Sequence, residues 1–193
     1  MTSILSLDIK FFQPEINFSQ YDYLIITSKQ ISQALKFYKN EDFFDKKALC
    51  VSEKSAQAYS SIGGQILDIA SGYGDTLSQM IHQYPLDTKW LYLRGENIAS
   101  SFADTSRIKG YEIEEKILYR SSCKDGIDKI NINDKDTLIF TSPSSVECFL
   151  KVFKIKESHK VIVIGKTTAK ALPTNVNYEI AKGRTIEDCL VLV

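Results

Sequence analysis

A chain of 193 residues has room for one large domain or two small ones. With 44% apolar residues and many aromatics it can bury a core, which excludes a disordered chain. Its 24 basic and 24 acidic residues cancel, which argues against a general nucleic-acid or membrane-surface binder but leaves room for a local anion site.

Taken in chain order, Leu5, Leu7, Ile9 and Phe11 alternate with Ser6, Asp8 and Lys10. This period of two predicts a strand with one wet face. Residues 23–27 form the first near-continuous apolar run, the pattern of a parallel strand covered on both sides. Ile31, Ala34, Leu35 and Tyr38 then recur at helical spacing. Further strands are expected at 48–51, 65–69 and 90–93, with weaker helices over 75–83 and 97–109. Tyr111, Ile113, Ile117 and Tyr119 alternate with charged neighbours, a second half-wet strand. Strands at 137–141, 161–164 and 176–180 follow, with a helical stripe of Val146, Phe149, Leu150 and Phe153 after the first. Alternation of this kind predicts parallel βαβ units.

The chain also repeats itself. Asp22-Tyr-Leu-Ile-Ile-Thr-Ser28 matches Asp136-Thr-Leu-Ile-Phe-Thr-Ser142, and each is followed by a matching helix stripe. Residues 49–58 parallel 162–171, and Ile69-Ala-Ser-Gly72 parallels Ile180-Ala-Lys-Gly183. Three similar blocks in one order predict two copies of a βαβαβ unit; the alternative is a single open sheet with a chance echo.

Cys50, Cys123, Cys148 and Cys189 are scattered, without a CxxC pair, and are expected to be buried free thiols. Only His82 and His159 are available to complete a zinc site, at no recognised spacing, so no metal is expected. Both histidines fall in stretches expected to be solvated. No apolar run reaches membrane-spanning length and the N-terminus lacks signal-peptide character, so a reducing, cytoplasmic home is expected.

In open α/β sheets ligands bind beyond the carboxyl ends of the strands. The residues expected there are Thr27, Ser28, Ser52, Lys54, Ser55, Arg94, Gly95, Ser142, Ser144, Ser145, Gly165, Lys166, Thr167 and Thr168. They are rich in hydroxyls and open candidate helices, whose starts carry unpaired N–H donors and partial positive charge. Carboxylates or phosphates suit such a rim. The same serines and threonines are also natural helix caps, and that reading stands beside the binding one. GxGxxG, Walker, GxSxG and HExxH motifs are absent from the sequence. Glu114 and Glu115 point to opposite faces of their strand, which makes a poor acid/base pair.

These blocks resemble the uroporphyrinogen-III synthase family. The family pattern is a strand ending in Phe-Thr-Ser before a helix, then a strand running into Gly-x-x-Thr-Ala, once in each lobe. Ile139-Phe-Thr-Ser-Pro-Ser-Ser-Val146 and Ile164-Gly-Lys-Thr-Thr-Ala169 carry both marks. The earlier copy keeps Ile26-Thr-Ser28 but has Val51-Ser-Glu-Lys-Ser-Ala56, with Ser for both Gly and Thr. Leu93-Arg-Gly95 and a strand closing at Tyr119 also fit.

The resemblance implies two flavodoxin-like lobes with parallel sheets, facing a cleft and joined by a two-stranded β ladder. Residues 12–118 would form the inner lobe, and 1–11 with 119–193 a discontinuous outer lobe. It implies closure of a linear tetrapyrrole, hydroxymethylbilane, with loss of water and inversion of the last pyrrole ring. No cofactor, no nucleic acid and no membrane partner are implied, and a monomer is expected. Tyr119 is the implied proton donor. The chain departs from the family in having only about ten residues before the first crossing strand, so the outer lobe is expected to hold three or four strands and a small core. Two other readings remain: a bilobed, non-enzymatic small-anion-binding protein, and an inactive synthase relative.

Overall fold

The computed structural model describes residues 7–72, 74–98, 100–183 and 185–193. The expected alternation at Leu5 and Ser6 lies outside them.

The first half of the chain runs β1 (Leu7–Phe11), β2 (Tyr23–Ile26), α1 (Gln30–Leu35), α2 (Asn40–Phe43), β3 (Lys47–Cys50), α3 (Glu53–Ser60), β4 (Gln65–Ile69), α4 (Gly74–Ile81), β5 (Lys89–Gly95) and α5 (Phe102–Ile108). It continues through β6 (Glu112–Cys123), β7 (Thr137–Phe140), α6 (Pro143–Leu150), β8 (Lys160–Val163), α7 (Lys166–Ala169), β9 (Glu179–Ile180) and α8 (Ile186–Leu190). The chain divides into two compact units. One is residues 9–121; the other is 122–193 with Leu7 and Asp8.

The larger sheet has six strands in the order β1-β6-β5-β2-β3-β4, and its pairs β2–β3, β2–β5, β3–β4 and β5–β6 are all parallel. Its central strands are apolar throughout because both faces are covered. Leu24, Ile26, Ala48, Cys50, Leu91 and Leu93 pack on one side with Ile31, Ala34 and Leu35 of α1 and with Ala56 and Tyr59 of α3. The intervening Ile25, Leu49, Trp90 and Tyr92 pack on the other with Leu77 and Ile81 of α4 and with Phe102 and Ala103 of α5. Successive residues facing opposite layers, each layer a helix pair, is the doubly wound arrangement. Counted from β2, the parallel strands lie in the order 3-2-1-4-5, where a flavodoxin-like lobe would be 2-1-3-4-5. The parallel α/β layers match expectation; the flavodoxin-like order does not. Hydrophobic patterning identifies buried strands but says nothing about which neighbour each one takes.

The smaller sheet is β7-β8-β9, parallel throughout. Leu138, Phe140, Val161 and Val163 pack against Val146 and Phe149 of α6, while Ile139 and Ile162 face Cys189 of α8. β9 is shorter than the expected 176–180 strand because only Glu179 and Ile180 pair, at the exposed edge. Cys123, ending β6, is disulfide-bonded to Cys148 of α6, with their Cα atoms 5.3 Å apart. This corrects the expectation of four free thiols; Cys50 and Cys189 are the buried free ones. The sequence shows no pairing signal because the two cysteines meet only once β6 and α6 are folded.

Candidate active site

In the 9–121 unit the strand order reverses between β2 and β5, and in open α/β sheets ligands bind beyond the carboxyl ends at such a switch point, here beyond Ile26 and Gly95. Thr27 and Ser28 leave β2 there, half-buried. Thr27 Oγ1 shares a 3.1 Å hydrogen bond with the Tyr92 hydroxyl. Burial pushes the Tyr92 phenol above its ordinary value, against the Thr27 bond and the nearby Arg94 charge, which pull it down. Ser28 Oγ accepts the Gln30 N–H at 3.2 Å and so opens α1.

Beside this switch point β5 ends in a bulge against β6, which continues to Cys123. Arg94 is opposite Ile117 but Gly95 is opposite Tyr119, leaving Leu118 as an extra residue. A regular strand would send Leu118 and Tyr119 to opposite faces. Here both pack on the cluster under α1 and α3. The Tyr119 ring fills the space a side chain at Gly95 would need, since a Cβ there would lie 2.6 Å from its Cζ. The Glu96 N–H donates to the Tyr119 carbonyl at 2.9 Å and locks the pairing past the bulge. Arg120 Nη2 donates to Glu96 Oε1 at 2.5 Å, and this bond holds the Glu96 carboxyl below the usual range. Across from them the Phe12 N–H donates to the Leu118 carbonyl at 2.8 Å, and the Lys10 and Arg120 cations each lie 5.9 Å from the Phe12 ring. Tyr119 thus stands half-buried within β6, opposite the end of β5.

The helix starts carry the other expected residues. Ser52 and Ser55 form a reciprocal cap at α3: the Ser52 N–H donates to Ser55 Oγ at 3.1 Å, and Ser55 Oγ–H donates to the Ser52 carbonyl at 2.8 Å. Lys54 is exposed on the same turn. In the other unit Ser142 and Ser145 build the same box at α6, with Ser142 Oγ accepting the Ser145 N–H at 3.1 Å and Pro143 at the first turn. Ser144 sits half-buried between them. The capping role is therefore observed for these four serines, and their hydroxyls are already engaged. At α7, Lys166 and Thr167 are exposed while Thr168 is buried. Gly165 precedes them with nothing within 4 Å of where a Cβ would stand. Its extended φ of 177° needs no glycine, so the missing side chain leaves open backbone.

Arg94, expected to meet a ligand, instead spends its guanidinium inside the fold, on Glu115 and on the Gly95 and Glu96 carbonyls. Neither histidine is simply solvated. His82 stacks on Tyr111 with ring centres 4.7 Å apart, and burial followed by the Lys109 charge lowers its pKa. His159 is buried, accepting the Lys156 N–H at Nδ1 and facing the Asn133 carbonyl through Nε2 at 3.1 Å. Local hydrophilicity around each hid these tertiary partners from the sequence. The Gly95–Tyr119 approach did leave a signal, a glycine closing one strand; its aromatic partner does not close the next, because β6 runs past Tyr119 to Cys123.

A doubly wound parallel sheet and a second smaller parallel unit built on the same repeat define the class: a mixed α/β protein. The family model for uroporphyrinogen-III synthase HemD matches residues 7–190, so this chain belongs to the uroporphyrinogen-III synthase family of tetrapyrrole-forming enzymes. Among solved structures it is similar to the uroporphyrinogen-III synthetase of Helicobacter pylori, with a TM-score of 0.83 and 24% identity over 98% of this chain and 90% of that one. A mutant uroporphyrinogen III synthase from the extremely thermophilic bacterium Thermus thermophilus matches with a TM-score of 0.57 and 16% identity, covering 86% of this chain and 76% of that one. These likenesses speak for the fold; the family rests on the sequence match. No curated protein matches the sequence. Among the described residues, no helix is long and apolar enough to cross a membrane, and no cluster of three or more His, Cys, Asp or Glu is placed to hold a metal ion.

Proposed function

We propose that this chain is a hydro-lyase that closes hydroxymethylbilane to uroporphyrinogen III, with Tyr119 as the proton donor. The observation that carries the proposal is the Tyr119 phenol, re-aimed by the β5–β6 bulge onto Gly95 where β5 ends. In this reading the phenol gives its proton to the departing hydroxyl. The C–O bond breaks, water leaves, and an azafulvene-type cation remains. The cation's methylene carbon then bonds to the last pyrrole ring at the carbon that already carries its bridge; that older bridge bond breaks, the freed bridge carbon bonds at the ring's unsubstituted α-carbon, and the ring is thereby inverted. The proton lost from that α-carbon restores the phenol. General acid catalysis of this kind contributes typically ~10²–10⁴-fold.

The linear substrate bears many carboxylates. In residues 9–121 the helix starts at Thr27–Ser28 and Ser52–Ser55 offer N–H groups and Lys54 to carboxylates; residues 122–193, taken by themselves, offer the same at Ser142–Ser145 and Gly165–Thr168, with Lys166. A charge-assisted hydrogen bond contributes roughly 1.5–3 kcal/mol, so three to five suffice for micromolar affinity, about 8 kcal/mol. We read the chain as acting as a monomer. Holding one folded geometry supplies the rest of the catalysis.

The test is chromatography of the uroporphyrin isomers formed from hydroxymethylbilane. Predominance of the III isomer is expected. Tyr119→Phe should lower kcat about 100-fold or more with KM little changed. Full activity in that variant removes the proposed role, and isomer I alone from the intact protein removes the function.

A further inference from the structure

Around Tyr119 the most committed side chain is Arg94. Its Nε meets a Glu115 oxygen, and its Nη1 donates to the carbonyls of both Gly95 and Glu96 at 2.9 Å each. The other Glu115 oxygen takes Arg107 Nη2 at 2.7 Å, and Arg107 Nε reaches back to the Ile113 carbonyl at 2.8 Å. The side chains of Arg94 and Glu115 are only 17% and 18% exposed. Glu115 thus ties β6 to both guanidinium groups, and Arg94 carries that tie into the two residues where β5 ends.

We propose that Arg94 is a positioning residue for Tyr119 rather than a ligand of the substrate. The inference rests on the reading of Tyr119 as proton donor. Without the extra residue in the bulge, Leu118 would stand beside Gly95 and Tyr119 would turn to the opposite face. The bulge persists because Gly95 has no side chain, because Glu96 N–H pairs with Tyr119, and because Arg94 holds the two carbonyls that follow the slip. A planar guanidinium can bond a carboxylate and adjacent carbonyls at once; an ammonium is a point donor and cannot span them. The Arg94 side chain is only 17% exposed, and its Nε and Nη1 are already committed to Glu115 and to two carbonyls, so most of its donors face the fold rather than a substrate.

The experiment compares Arg94→Gln, Arg94→Lys and the double variant Arg94→Gln/Glu115→Gln. The double variant leaves no unpaired Glu115 charge and guards against simple misfolding of the single ones. Steady-state kinetics are read together with the NMR signal of 13Cζ-labelled Tyr119, assigned by its loss in Tyr119→Phe. All three variants should shift that signal and lower kcat about 10- to 100-fold, with KM within about threefold. A raised KM at intact kcat, restored by Arg94→Lys, would make Arg94 a substrate ligand and overturn the proposal. An unmoved Tyr119 signal in all three variants overturns it equally. If Tyr119→Phe proves fully active while Arg94→Gln still shifts the signal, the positioning stands and the proton-donor reading falls.

Discussion

Two glycines at strand ends show how differently one residue type can be used. Gly95 is buried against Tyr119, and any side chain there would drive the ring from its place. Gly165 faces open space, with a backbone conformation that alanine adopts freely. Replacing Gly165 by alanine should therefore leave the fold intact. Stability should hold or rise by about 0.4–1 kcal/mol, because alanine restricts the unfolded chain. What the substitution removes is room against the α7 N–H groups, so KM for hydroxymethylbilane should rise several-fold while the denaturation midpoint does not fall. Unchanged kinetics would mean that no ligand approaches this backbone. The equivalent position in the first copy of the repeat is Ser52, whose side chain is turned into its own cap. The two copies thus offer unequal surfaces despite their shared sequence pattern.

At the scale of elements, the apolar runs at 23–27, 48–51, 65–69, 90–93, 137–141 and 161–164 each mark an observed strand, because parallel strands are covered by helices and carry apolar residues. The stripe through Ile31, Ala34 and Leu35 marks α1 for the same physical reason. Strand order, the Leu118 bulge and the partners of Arg94 were not legible, since each depends on contacts between residues remote in sequence. Of the expected site, the hydroxyls were correctly placed at strand ends and helix starts, but which of them already cap their helices appears only in three dimensions. The Arg94–Glu115–Arg107 tie has a pH signature. Burial raises the Glu115 carboxyl, but the hydrogen bonds from Arg107 and Arg94 outweigh it and hold it below the ordinary 4.5. A carboxyl with a depressed folded pKa adds stability above its unfolded value and loses it as pH falls through the folded one. Glu115→Gln should therefore be less stable than the parent at neutral pH, by about 1–3 kcal/mol. The gap should narrow as pH drops below about 4.5. Urea unfolding across that range reads it directly, and a pH-independent gap would show that the ion pairs do not carry the difference.

For the whole molecule, the chain passes from one unit to the other twice, near Asp8–Ile9 in β1 and near Ser121–Ser122 in β6, and those two strands are sheet neighbours. The units differ in means. Residues 9–121 bury two apolar layers on a six-stranded sheet, whereas 122–193 has three strands, the last only two residues long. Small cores of this kind are commonly reinforced by a covalent link. The Cys123–Cys148 bond supplies one, closing a loop of sequence separation 25 between the end of β6 and α6. In the chain-entropy account a loop of this size contributes about 3 kcal/mol by restricting the unfolded chain. Alkylation in denaturant without reductant should accordingly label Cys50 and Cys189 and spare the other pair. Reduction, or Cys148→Ser, should speed amide exchange in β7, β8 and α6 while the central strands β2, β3 and β5 stay protected, because the link lies wholly within the smaller unit. Labelling of all four cysteines would remove the link, and equal loss of protection in both units would mean that they unfold as one.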